Sequence, residues 1–259
     1  GVAVGGSAGG GTGNYNVSVG YEAFSTTGAA AQCTCIGDAA GKSMTTAGSA
    51  VAVGYTSQYS ATTGGYNTSL GAESLYTNIT GLNSTAVGFK ALRAATANNN
   101  TAVGYESLVA NTTGSSNVAV GGYALTSMTT GTNNVAVGMQ ALDANTTSHY
   151  NTAVGATALG AVTTASRNTA VGYTSLTAAT TGGSNSAIGD GSLSGVTTGI
   201  QNSAIGYNAG NSITTGNNNS TLGHNADASS FEVSHEFTLG DANISSLRCN
   251  DTSISSLSD

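Results

Sequence analysis

The sequence predicts an all-β chain: a parallel β-solenoid of about fifteen 17-residue coils, a β-roll or β-helix, assembled as a parallel homotrimeric fibre. Three observations carry the solenoid. An aliphatic-glycine pair recurs fifteen times, at Gly5, Gly20, Gly37, Gly54, Gly71, Gly88, Gly104, Gly121, Gly138, Gly155, Gly172, Gly189, Gly206, Gly223 and Gly240. The first step between these anchors is 15 residues, the step from Gly88 to Gly104 is 16, and the others are 17. A short fixed period along a whole chain marks stacked repeats. The residues before each glycine usually read Thr, Val or Ser, then a small residue, then an aliphatic one, as in Thr101-Ala102-Val103. Such β-branched alternation suits a strand. Finally, the 259 residues hold 38 Gly and no Pro, which would delete a ladder donor.

Around one coil, the strand comes first. Val19, Ile36, Val53, Leu70, Val103, Val120 and their equivalents are expected to point inward and stack as a column. The small residues two before and three after the glycine then form a smooth outer face. A second apolar position follows four residues after the glycine, at Phe24, Leu75, Leu92, Leu108, Leu125, Leu142, Leu159, Leu176 and Leu193. Next comes a Thr-Thr-Gly corner, as in Thr112-Thr113-Gly114, where glycine is expected to supply a positive φ. An Asn precedes the next strand, at Asn67, Asn100, Asn117, Asn134, Asn151 and others. Stacked Asn side chains bond one another or the adjacent backbone. The coil is thus expected to hold two short strands and two turns. Its core is thin, and the smooth face favours several chains side by side, three by preference. Local corner changes are expected at Asn98-Asn99-Asn100, where the spacing shortens, and between Gly20 and Gly37.

Composition narrows the function. Charged residues make up 7% of the chain and the formal charge is −7, against about 25% charged in an average domain. That balance disfavours nucleic acid, which needs Lys and Arg for phosphates. No apolar run approaches the roughly 20 residues of a membrane helix, so no membrane insertion of this segment is expected. The chain opens in mid-repeat without Met, as expected of a piece of a longer polypeptide. Cys33, Cys35 and Cys249 do not form a disulfide framework; they read as small buried hydrophobes, with an interchain bond near a symmetry axis as the alternative.

At the consensus Asn-Thr-Ala-Val-Gly, clearest over residues 100–223, the chain resembles the repeats of viral tail fibres, of bacteriophages and some large DNA viruses. The strand motif is also similar to the head repeat of trimeric autotransporter adhesins, which is shorter. Beyond Phe237-Thr238-Leu239-Gly240, the run Ile244-Ser245-Ser246-Leu247 to Ile254-Ser255-Ser256-Leu257-Ser258-Asp259 resembles the segment before the C-terminal intramolecular chaperone of tail spikes. The resemblance implies a processing junction at Ser258-Asp259, a virion-surface or extracellular location, and a homotrimer. It also implies partners among other virion or fibre proteins and a host-cell glycan or protein receptor. The expected domains are a shaft (1–223), a last irregular coil or cap (224–243) and a linker (244–259) to an absent chaperone.

Candidate chemistry is sparse, so no enzyme, cofactor or metal is expected. His149, His224 and His235 form no ligand pair. Asp38, Asp190 and Asp241 lack the glycine-aspartate spacing of a calcium roll. No serine nucleophile has a strand-to-helix elbow. Tyr21, Tyr55, Phe89, Tyr105, Tyr173 and Tyr207 share the position after the glycine, where they cover the corner or stack on sugars. The Thr-Thr corners raise ice binding, with only one Thr of each pair expected to face out. Recognition is expected after Gly223, where Ser230-Phe231-Glu232-Val233-Ser234-His235 replaces the corner, with Phe231 and His235 as receptor contacts. The alternatives are an adhesin head or a polysaccharide depolymerase.

Overall fold

Each coil folds around one strand, where the sequence suggested two. The computed structural model describes residues 1–246. Its fifteen three-residue strands run from β1 (Val2–Val4) to β15 (Phe237–Leu239) and form one parallel sheet in chain order. At about 4.8 Å per rung the stack is roughly 70 Å long. The pairing stays in register everywhere: β6 (Thr85–Val87) faces β7 (Thr101–Val103) residue for residue although that coil is one residue short. The missing residue is the corner glycine, so Ala97 leads straight into Asn98. The change is confined to the corner, as expected.

The rest of the coil is laddered too, by an unusual backbone. At three positions in most coils a non-glycine residue has positive φ, as Tyr123 (59°), Leu125 (52°) and Asn133 (57°) do in successive turns. Each reversal aims the amide along the rod. Tyr123 N–H donates to the Tyr105 carbonyl in the coil below, Leu125 N–H to Ala141 in the coil above, and Asn133 N–H to Ser115 below. An L-residue in this region is strained by roughly 1–2 kcal/mol, and inter-coil bonds at these positions hold the strain in place.

The inside and outside of the strand are reversed from the expectation. Ala86, Ala102, Ala119, Ala136, Ala153 and Ala170, two before the glycine, are fully buried. The aliphatic residues before the glycine face outward: Val103, Val120 and Val137 are half-buried, while Leu70, Ile188, Ile205 and Leu222 are 45–51% exposed. The small residues three after the glycine, such as Ala91 and Ala124, also face inward and are fully buried. Width is the reason. With one strand per coil, Leu at the fourth position spans the interior, and the strand opposite has room for a methyl group. The exceptions support this. Gly41 stands where Leu is usual, and there Cys35 and Met44 fill the space, their sulfurs 4.0 Å apart. Volume is conserved across the exchange.

The Leu column itself is buried as expected, from Leu75 to Leu193. The Asn column is buried and bonded in both of the ways expected. Asn117 Nδ2 donates to the Gly131 carbonyl (2.9 Å) and to Asn100 Oδ1 (3.2 Å), while its Oδ1 accepts the Asn134 amide (2.9 Å). At the corner, Gly114, Gly131 and Gly182 do not have positive φ. They are required by close approach instead: a Cβ on Gly114 would overlap the Gly131 carbonyl. Positive φ belongs to the anchor glycines, at 127–143° for Gly5 through Gly223.

One layer interrupts the apolar interior. The core divides into a cluster from Phe24 to Ala61 and a larger one from Leu75 to Ile213. Between them Gln58 takes the Leu place and Ser69 the Ala place. Gln58 Nε2 donates to the Val51 carbonyl (2.8 Å) and to Ser69 Oγ (2.9 Å), and Ser57 lies 2.5 Å from Ser69. Gln58 Oε1 is buried without a partner.

Candidate functional site

The outward strand residues form the first candidate surface. They make two parallel columns along the fifteen strands, one aliphatic and one of Thr, Val and Ser that ends in Phe237. With strands of three residues, the strip is roughly 70 Å by 7 Å, about 500 Å². Apolar patches beyond a few hundred Å² mark interaction sites.

The aromatic column beside it stacks only where neighbours permit. Phe89 and Tyr105 stack 5.5 Å apart and Tyr207 and His224 5.2 Å, while Tyr123, one position further on beside Gly122, meets Tyr105 edge-on at 5.2 Å. Tyr21, Tyr55 and Tyr173 have Gly, Ala or Asp above and below in that column, and all three are 58–59% exposed. Packing and exposed platforms therefore coexist. At the corners, the first Thr is tied down: Thr112 Oγ1 donates to the Thr129 carbonyl, Thr129 to Thr146, and Thr180 to Thr197. The second, from Thr113 to Thr215, is exposed on successive coils. Both Thr of a pair lie at a bend with their side chains at the perimeter, so the alternation expected from an extended strand does not apply.

At the C-terminal end the chain keeps to the ladder more closely than its sequence suggests. The Phe231 carbonyl accepts from Thr214, Thr215 and Gly216, and His235 N–H donates to the Asn217 carbonyl. Both side chains are exposed, but they sit in separate columns and do not stack on each other. Glu236 replaces the column Asn. Its amide still meets Asn219 Oδ1 (3.0 Å), and its carboxylate turns back to the Ser229 amide (2.9 Å), the Ser229 hydroxyl and Thr238 (3.1 Å). These bonds, with that from the Ser229 hydroxyl foremost, hold the Glu236 carboxyl below its ordinary range. The carboxylate's contribution is present above the ordinary glutamate range and is lost as pH falls through the lowered value. Protection of the Ser229 amide against hydrogen exchange is expected to fall in acid, and Glu236→Gln to abolish that pH dependence. Ser258 and Asp259, the expected processing junction, lie outside the described residues, as does Cys249.

Two of the histidines contact neighbours within the rod, His224 against the Tyr207 ring and His149 in the coil ladder. His149 Nδ1 accepts the Thr132 amide (3.0 Å), one of a column of side chains that each bond the coil below. Among the described residues no three His, Cys, Asp or Glu cluster to hold a metal. Cys33 and Cys35 are free and buried, and burial pushes the Cys35 thiol up to about 12; such thiols are inert.

Sequence reasoning missed a charged band around coils two to seven. Lys42 pairs with Glu22 at 2.6 Å, Arg93 with Glu73 at 2.7 Å, and Lys90 with Glu106 at 3.9 Å. Lys42, Tyr59, Tyr76 and Arg93 form one column, the two rings 5.2 Å apart and nearly parallel, with a cation over each. The signal was available: each Glu lies 20 residues before its Lys or Arg, one coil plus three. Lys90–Glu106 alone departs from it.

No family model, curated protein or solved structure matches the chain.

Proposed function

We propose that the chain is a segment of a virion fibre, a tail fibre or spike, that assembles as a parallel homotrimer and attaches the particle to host cells. The outward aliphatic column carries this reading. A partner for that strip must present matching groups about every 4.8 Å over roughly 70 Å, and a second copy of the same rod has that period by construction. Two columns per chain allow one to meet each of two neighbours about a threefold axis. A rigid rod of three chains gives reach, and several rods per particle multiply weak receptor contacts.

Light scattering is expected to give three times the 25.1 kDa chain mass. Val120→Asp is expected to yield a folded chain that no longer assembles, because the outward residue is buried only between chains. A single-chain mass for the unaltered protein would end the trimer reading. Antibody against residues 100–223 should decorate fibres projecting from virions; labelling of a bacterial surface would instead favour an adhesin head.

A further inference from the structure

We infer that the side of the rod at Tyr55 carries a binding site for one neutral sugar unit, separate from the C-terminal end. Tyr55, Thr56, Glu73, Tyr76 and Arg93 line a shallow depression of about 150 Å³. That is smaller than the 300–1,000 Å³ of drug-sized sites, and suits a single ring. Every group a pyranose needs is present. Tyr55 is 58% exposed, with Asp38 and Ala72 as its column neighbours, so its ring offers a free apolar face. Glu73 provides carboxylate oxygens as acceptors. Arg93 is held by its Nε to Glu73 and lies 5.1 Å over the Tyr76 ring, which fixes the guanidinium while its terminal nitrogens remain as donors. The fifth group is the most telling. Thr56 is 8% exposed, and its Oγ1 is buried without a hydrogen-bond partner among the described residues. An orphaned buried hydroxyl costs about 1–3 kcal/mol, and a ligand hydroxyl would satisfy it.

Charge selects the class. The cation of the depression is matched by a carboxylate, and Lys42 and Lys90 nearby are matched likewise. With a chain charge of −7, the site offers no net attraction to an acidic sugar. The other unstacked tyrosines of the column, Tyr21 and Tyr173, lack this partner, since Arg93–Glu73 is the one Arg–Glu pair among the described residues.

The purpose of the site rests on the attachment reading, but its chemistry is testable alone. The probes are methyl glycosides of glucose, galactose and mannose, N-acetylglucosamine and, as the acidic comparison, methyl sialoside. Binding is followed by saturation-transfer NMR with the purified full chain. At least one neutral probe is expected to bind, with at least tenfold loss in Tyr55→Ala and in Glu73→Gln, and none in Phe231→Ala. Tyr55 is exposed, so circular dichroism of Tyr55→Ala should match the parent. No neutral probe binding, binding that survives Tyr55→Ala, or preference for the sialoside would overturn the site. Loss in Phe231→Ala alone would move the sugar to the end of the rod and overturn this site while leaving attachment standing. Neutral binding lost with Tyr55, in a chain that antibody never finds on virions, would uphold the site and remove the fibre reading.

Discussion

Gly121→Ala is expected to destabilise the rod by several kcal/mol, while Gly122→Ala, one residue on, leaves it unchanged or slightly more stable. Gly121 has φ +137°, and a Cβ there would overlap the carbonyl of Gly138 in the next coil. Backbone of that kind costs an L-residue about 1–3 kcal/mol, before the steric overlap is added. The overlap is with backbone that is itself bonded to its neighbours, so relief requires parting two coils. Gly122 has no atom within 4 Å of its hypothetical Cβ and no positive φ. There alanine acts only by restricting the unfolded chain, worth about 0.4–1 kcal/mol in favour of folding. Paired urea titrations check both. Equal midpoints for the two variants would show that the anchor glycines do not set coil spacing.

Asn134→Leu is the second large effect expected. Leucine is close in size, so the change removes bonds more than volume. Asn134 Nδ2 donates to the Ser148 carbonyl at 2.9 Å, and its Oδ1 accepts the Asn151 amide at 3.0 Å. Both partners belong to the following coil, and both are left buried and unpaired. At about 1–3 kcal/mol for each orphaned group, the loss is on the order of 2–6 kcal/mol. Asn211→Leu, on the exposed rim and without positive φ, serves as the control: its side chain makes no hydrogen bond among the described residues, and little change is expected. Thermal melts that do not separate the two variants would contradict the role assigned to the Asn column.

Much of this was legible in the sequence because a repeat reports its own constraints. The period gave strand order and register, and Leu92, Leu108 and Leu125 announced a core column that the structure confirms. The buried Asn ladder followed from the spacing of Asn100, Asn117 and Asn134. What misled was hydrophobicity at the strand. Val103 is more apolar than Ala102, and alternation alone says that one of them faces in, without saying which. The choice depends on the width of the coil, and so on whether the far side is a strand or a turn carrying Leu. The positive φ at Tyr123 and Leu125 had no signature, since those residue types do not favour that conformation, whereas Asn83, Asn99, Asn133 and Asn218 are of a type that does. For the candidate sites, the change of sequence after Gly223 drew attention to Phe231 and His235. The depression at Tyr55 is assembled from positions in three successive coils, where no linear motif records it.

The polar layer at Gln58 has a consequence for assembly of the rod during folding. Coils of equal length and near-equal sequence can pair out of step by one whole unit. A shift of 17 residues would return Leu to Leu, Asn to Asn and glycine to glycine over most of residues 100–223. Such a misaligned chain would lose very little at any one contact, and the loose coil would emerge only at an end. Gln58 and Ser69 prevent that indifference, because their mutual bond is made in one alignment alone, and a slipped coil would set Gln58 against an alanine methyl. Two polar side chains, Gln58 and Ser69, thereby give an otherwise uniform chain its origin of count, so that folding can distinguish the fourth coil from the fifth.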